Sequence, residues 1–148
     1  MLKESVYILL CFIVLIIVLY RIKLSNTEGF YGNEPKTFNL HVKTAIDKQL
    51  GLMHRKNKLK KNHGLLFDYN RYGVFSFWMK DTLIPLEILC LDHQYKVIGL
   101  IKDLKPKSEK KRELDKPIRY AIELNKDTTR KNNINIGDQI HLLKVETI

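Results

Sequence analysis

The stretch 76–92, SFWMKDTLIPLEILCLD, decides how the rest of the chain is read. Extended, its first part places Phe77 and Met79 on one side and Ser76, Trp78 and Lys80 on the other, because side chains alternate along a strand. Pro85 fixes a turn, and LEILCLD continues as an apolar run typical of a buried strand. Two strands joined at Pro85 are therefore expected. Trp78 beside Lys80 makes an amphipathic platform that can stack on a ring and attract an anion. The bland alternative puts Phe77 and Met79 in the core, lays Trp78 over a sheet end and pairs Lys80 with Asp81 or Glu87.

Outward from this stretch, LLFDY (65–69) and VFSFWMK (74–80) predict two strands around the turn NRYG. PLEILCLD (85–92) and KVIGLIKD (96–103) predict a second pair joined by HQY. KTFNLHVK (36–43) alternates Phe38, Leu40 and Val42 with Asn39 and His41, as a half-buried strand does. Thr44, Asp47 and Gly51 then suggest a capping box and a left-handed stop around a helix of about two turns. IRYAIEL (118–124) sets Ile118, Tyr120, Ile122 and Leu124 against Arg119 and Glu123. One polar helical turn is expected in KDTTRKNN (126–133), and a turn at Gly137-Asp138 before a final strand in INIGDQIHLLKVE (134–146). LKPKSEKKRELDKP (104–117) is too charged for a core. Many short strands with minor helix predict a mainly β fold, a compact antiparallel sandwich or barrel over residues 36–148.

GLMHR (51–55), GLLFDY (64–69), SFWMKDTLIPLEILCLD, RYAIEL (119–124) and INIGDQI (134–140) stand in the order and spacing of the domain-of-unknown-function 192 family, which the chain resembles over about residues 37–146. The resemblance implies a mainly β domain of jelly-roll-like character, often behind a signal or anchor segment, and implies no activity. Two positions depart from the family pattern. Asp81 replaces an Asn and Glu87 an Asp, so a role needing the amide NH₂ at position 81 is put in doubt. Lys126 and Asp127 stand where Ala-Gly is common.

Residues 5–20, SVYILLCFIVLIIVLY, hold no charge and lie between Lys3 and Arg21. At 1.5 Å per residue they span roughly 24 Å as a helix, somewhat short of the ~30 Å hydrocarbon core unless Arg21 and Lys23 snorkel. No small-residue cleavage pattern follows. Residues 1–24 are therefore expected to be an uncleaved single-pass transmembrane anchor, with a cleaved signal peptide or a buried helix as alternatives. Residues 25–35, SNTEGFYGNEP, read as a linker. The basic residues flanking the span give only a weak signal for which side of the membrane carries the body.

The chain holds 26 Lys and Arg against 16 Asp and Glu, a formal charge of +10. Arg55, Lys56, Lys58, Lys60 and Lys61 crowd between His54 and His63, a solvated run suited to a membrane surface or an acidic partner. No aromatics interleave with them, which argues against nucleic acid. Histidines 41, 54, 63, 93 and 141 show no metal-ligand spacing, so neither a metal nor a cofactor is expected. No G-x-S-x-G is present, and Cys90 lies between leucines. Cys11 and Cys90 cannot form a disulfide within the body.

These features point to a non-enzymatic, membrane-tethered β domain that binds a partner or an anionic small ligand through Trp78, Lys80 and Arg119. A hydrolase or lyase acting on an envelope or glycan component, with Asp81, Asp92 or Glu123 as acid or base, is the enzymatic alternative. A structural component of a membrane or viral particle is the third.

Overall fold

The computed structural model describes residues 13–22 and 37–144. Two compact units divide at Glu34 and Pro35. In the first, residues 13–22 are helical and Ile13 to Tyr20 are exposed. At 1.5 Å per residue the described part of this helix, 13–22, covers about 15 Å. No helix among the described residues is long and apolar enough to cross a membrane. The anchor expected over residues 1–24 thus gains no support, and the remainder of that expectation, with the linker, lies outside the described residues.

The second unit contains strands β1 (Thr37–Thr44), β2 (His63–Gly73), β3 (Leu86–Leu91), β4 (Val97–Leu104), β5 (Ile118–Asn125) and β6 (Gln139–Lys144), with one helical turn at Thr128–Lys131. All six strands join one sheet in the order β4-β3-β5-β2-β1-β6. The mainly β expectation holds, but two features need correction. β1 runs parallel to both β2 and β6, so the sheet is mixed and not antiparallel throughout. A parallel neighbour requires a crossover, and residues 45–62 between β1 and β2 supply it.

The second correction concerns the opening stretch. Residues 74–85 form no strand of the sheet. Phe77 makes an isolated bridge with Arg112, its N–H and C=O bonding to Arg112 at 2.8 Å each, while the Met79 N–H donates to Ser108 O at 2.8 Å. The segment thus pairs with the charged loop 105–117, and the two cover one face of the sheet. Its alternation survives, with Phe77 and Met79 buried and Trp78 and Lys80 exposed.

Residues 45–54 are turns, not the expected helix. Asp47 is the reason: its Oδ1 accepts from the N–H groups of Gln49 and Leu50 at 2.7 and 3.3 Å. An Asp that bonds its own following backbone competes with helix propagation.

Apolar side chains pack on both faces of the sheet. Leu40, Leu66, Leu89, Val97, Ile122 and Ile140 belong to one cluster, drawn from all six strands as the concave side of a curled sheet requires. The curl brings the outer strands together. Lys96 bridges Gln139, the Val97 N–H donates to Asp138 O at 2.9 Å, and the Gly137 N–H returns to Val97 O at 2.8 Å. The other cluster, with Phe67, Ile88, Cys90, Ile101 and Ala121, is roofed by Leu52, Phe77, Met79 and Ile84 from the loops.

β5 lies between β2 and β3 and is buried over most of its length. Gly64 of β2 opposes Leu124 there, and a Cβ at position 64 would run into Ile122 Cγ2 and stand 2.9 Å from Leu124 Cδ2. At Gly99 the atoms nearest a Cβ all belong to Leu114, a half-buried side chain whose end can move. Gly64→Ala is therefore expected to lower stability by about 1–3 kcal/mol through overpacking, and Gly99→Ala by clearly less. Urea denaturation of the two variants measures the difference.

Candidate functional site

On the roofed face of β5, Ala121 and Glu123 point the same way, and Glu123 stands in register with Leu65 of β2 and Ile88 of β3. An acid is thereby set among apolar neighbours with 8% of its surface exposed. Strand alternation alone puts it there. Burial pushes its carboxyl up from 4.5 to about 7, against the opposing pull of the Leu52 N–H. Among the described residues its Oε2 is the buried side-chain oxygen left without a hydrogen-bond partner.

The turn anchored by Asp47 brings Gly51 over this carboxylate with φ +51°, a left-handed conformation that glycine adopts without penalty. A Cβ on Gly51 would stand 3.2 Å from both Glu123 oxygens and 3.4 Å from Phe67 Cζ. Glycine keeps the space beside the acid open.

That space is part of a cavity of about 410 Å³. Phe67, Tyr69, Phe77 and Trp78 give it aromatic walls, and Lys48, Gln49, Ser76, Thr82 and Lys111 contribute polar groups. The Tyr69 ring stacks on Phe75 with centroids 3.6 Å apart, and Lys48 Nζ lies 5.6 Å from its centre. Burial, and then the charge of Glu123, raise the Tyr69 hydroxyl so that it stays protonated. Lys80 Nζ lies 5.4 Å from the centre of the Trp78 ring. Trp78, 39% exposed, combines an apolar wall with solvent contact.

The structure separates several residues that the sequence grouped. Trp78 and Lys80 are together, but Lys80 does not line the cavity. Arg119 does not line it either. It forms an ion pair with Asp68 and lies 4.3 Å from the centre of the Tyr120 ring, so Arg119 and Glu123 do not share a solvated charged face. Asp68 holds the Arg119 guanidinium up, and Arg119 in turn helps hold the Asp68 carboxyl down despite its partial burial.

Asp81 is exposed at φ 52°, and its carbonyl accepts the His54 N–H at 2.8 Å. Asn and Asp both tolerate that conformation, so the turn is compatible with either residue. Asp92 Oδ1 accepts from Gln94 N and Lys96 N at 2.8 and 2.9 Å and shapes the turn before β4. Neither acid lines the cavity. Glu87, buried, accepts from the Thr129 N–H at 2.6 Å and from its hydroxyl at 3.2 Å, and so secures the helical turn. Arg55, Lys56, Lys58, Lys60 and Lys61 are exposed. Burial raises the Cys90 thiol to about 12, which leaves it unreactive.

Tyr69, Lys48 and Lys111 line the cavity and are not singled out by sequence reasoning, which reads Gly51 only as a helix stop. Glu123 is a candidate acid in the sequence, but its burial is not legible there, because the alternation of IRYAIEL reads as a strand with a polar side carrying Arg119 and Glu123.

The DUF192 family model, described as an uncharacterized ACR, matches residues 32–142. A crystal structure of a "putative transcription regulator" from Sinorhizobium meliloti 1021 is 30% identical with a TM-score of 0.64, covering 68% of this chain and 79% of that one. A Novosphingobium aromaticivorans DSM 12444 protein of unknown function is 26% identical with a TM-score of 0.60, covering 66% of this chain and 70% of the other. No curated protein matches the chain.

The raised carboxyl of Glu123 ties stability to pH. Below 4.5 the acid is protonated folded or unfolded and adds no pH-dependent penalty. Between 4.5 and about 7 the unfolded chain releases the proton while the folded one keeps it, so stability falls as pH rises and levels off above about 7. Glu123→Gln is expected to remove this component. In urea denaturation across the pH range its advantage over the parent should grow through that window to about 2–4 kcal/mol and then stay constant.

Proposed function

We propose, from the premise that this chain belongs to the DUF192 family, that its β domain is a binding module for a small ligand that donates a hydrogen bond to Glu123 and packs on Trp78. Membership of a family described as uncharacterized supplies a fold and no chemistry. One observation carries the proposal: Glu123 Oε2, buried and without a partner among the described residues, belongs to a residue lining a cavity of about 410 Å³. An unpartnered buried polar atom costs about 1–3 kcal/mol, and an incoming N–H or O–H donor recovers it. Polar and apolar groups share the lining about equally, a more polar cleft than the usual small-molecule pocket and one suited to a ligand that carries both kinds of surface.

The walls narrow the ligand further. Aromatic side chains suit a ring or an apolar sugar face, while Lys48 and Lys111 supply donors for an anionic substituent on the same molecule. Aromatic amino acids and sugar acids share that combination, and amino sugars offer the donor and the apolar face without the anion.

A second reading, general acid or base catalysis by a hydrolase or lyase, rests on the Glu123 carboxyl ionising at about 7, where a side chain can both take and give a proton. Turnover of glycan or envelope substrates by the full chain, abolished in Glu123→Gln with folding intact, would favour it over simple binding.

The chain contains one tryptophan, so its intrinsic emission reports on the cleft directly. Titration with amino acids, amino sugars and sugar acids is expected to give saturable emission changes for at least one class, weakened about tenfold or more in Glu123→Gln by loss of a charge-assisted hydrogen bond. Equal affinity in parent and variant for every responding compound would remove Glu123 as the anchor and the proposal with it.

A further inference from the structure

A second cleft, of about 260 Å³, is bordered by Lys58, Lys61, Lys126 and Lys131. The four lysines come from three parts of the chain: the basic run before β2, the residue after β5 and the helical turn Thr128–Lys131. Sequence proximity therefore does not account for their convergence. Side-chain amides do.

Asn125 makes a reciprocal pair with the backbone of Leu59, accepting its N–H at 2.9 Å and donating to its carbonyl at 2.8 Å. Asn132 donates to Asn62 Oδ1 at 3.2 Å and to Thr128 O at 2.8 Å. The basic run is thus pinned at Leu59 to the end of β5 and at Asn62 to the helical turn, so that Lys58 and Lys61 face Lys126 and Lys131 across a fixed gap. Lys126 is engaged by Asp103 at 3.1 Å, and Asp127, which does not line the cleft, is held by Arg130 at 3.4 Å. Among the described residues no ion pair engages Lys58, Lys61 or Lys131.

We propose that this cleft binds a phosphate-bearing group, either a soluble phosphoester or the headgroup of an anionic lipid. Three ammonium groups outside any ion pair, of which Lys131 feels the Asp127 carboxylate from beyond ion-pair distance, border a small concavity and call for a compact anion of charge two or more. Lysine binds phosphate as a point charge that needs no planar fork. The small volume suits one or two phosphoryl groups and excludes a polymer lying along the surface. Arg55, Lys56 and Lys60, from the same basic run, do not line the cleft. The site is a selection from that run joined to two lysines distant in sequence, and it shares no lining residue with the Glu123 cavity.

Two probes separate the sources: inorganic pyrophosphate, followed by amide chemical shifts of the full chain at fixed ionic strength, and vesicles containing phosphatidic acid, followed by co-sedimentation. Saturable pyrophosphate binding assigns a soluble phosphoester, and vesicle binding without it assigns a headgroup. In either arm Lys61→Gln/Lys131→Gln is expected to weaken binding about tenfold or more, since two charge-assisted contacts are removed. Lys56→Gln/Lys60→Gln, which removes the same charge from the same run outside the cleft, is expected to change it less than about twofold. Lys58→Gln serves as an independent single variant, and Glu123→Gln should have no effect. No saturable binding to either probe, or equal weakening by the two double variants, overturns the proposal.

Discussion

Strand β5 is hydrogen-bonded along both edges and covered on both faces, and the other elements take their positions from it. β2 and β3 flank it, with β1 and β6 beyond one and β4 beyond the other. The segments that follow β1 and precede β3 fold back over its outer face, because Ala121 and the apolar residues beside it cannot be left to water. The same geometry forces the conflict on which the candidate site rests. A strand in this position has no solvated side, so the acid at position 123 has to be buried with the rest.

β5 also links the two clefts. Glu123 forms part of the first, while Asn125 pins the basic run and Lys126 borders the second. The strand passes from an apolar interior to a positively charged exit within four residues, 123 to 126. Neighbouring positions on one rigid element thus serve different chemistry. Sites built on a strand inherit its precision.

Most of the strands were legible because alternation and apolar runs survive whatever the tertiary context, as in KTFNLHVK, LEILCL and IRYAIEL. SFWMK misled because it alternates in the same way while pairing only with the loop 105–117. Period two reports which side is buried and not which neighbour is bonded. The parallel placement of β1 was illegible for a related reason: pairing direction follows from where the chain returns, which local pattern does not encode. At the site, Trp78 and Glu123 were visible as residue types, but their conjunction was not. It depends on Gly51, whose role is the space it leaves, and on a turn set by Asp47 where a helix was expected. Arg119 looked available from its charge and is instead committed to Asp68.

The meeting of the sheet's outer strands through Lys96 and Gln139 has a consequence beyond shape. A six-stranded sheet left open would present two ladders of unpaired N–H and C=O groups, each a template onto which another chain could add a strand. By curling until β4 and β6 approach, the domain uses part of each ladder on the other. Where Tyr95 to Val97 meet Gly137 to Ile140, what would otherwise be a template for intermolecular β-addition becomes an internal seam.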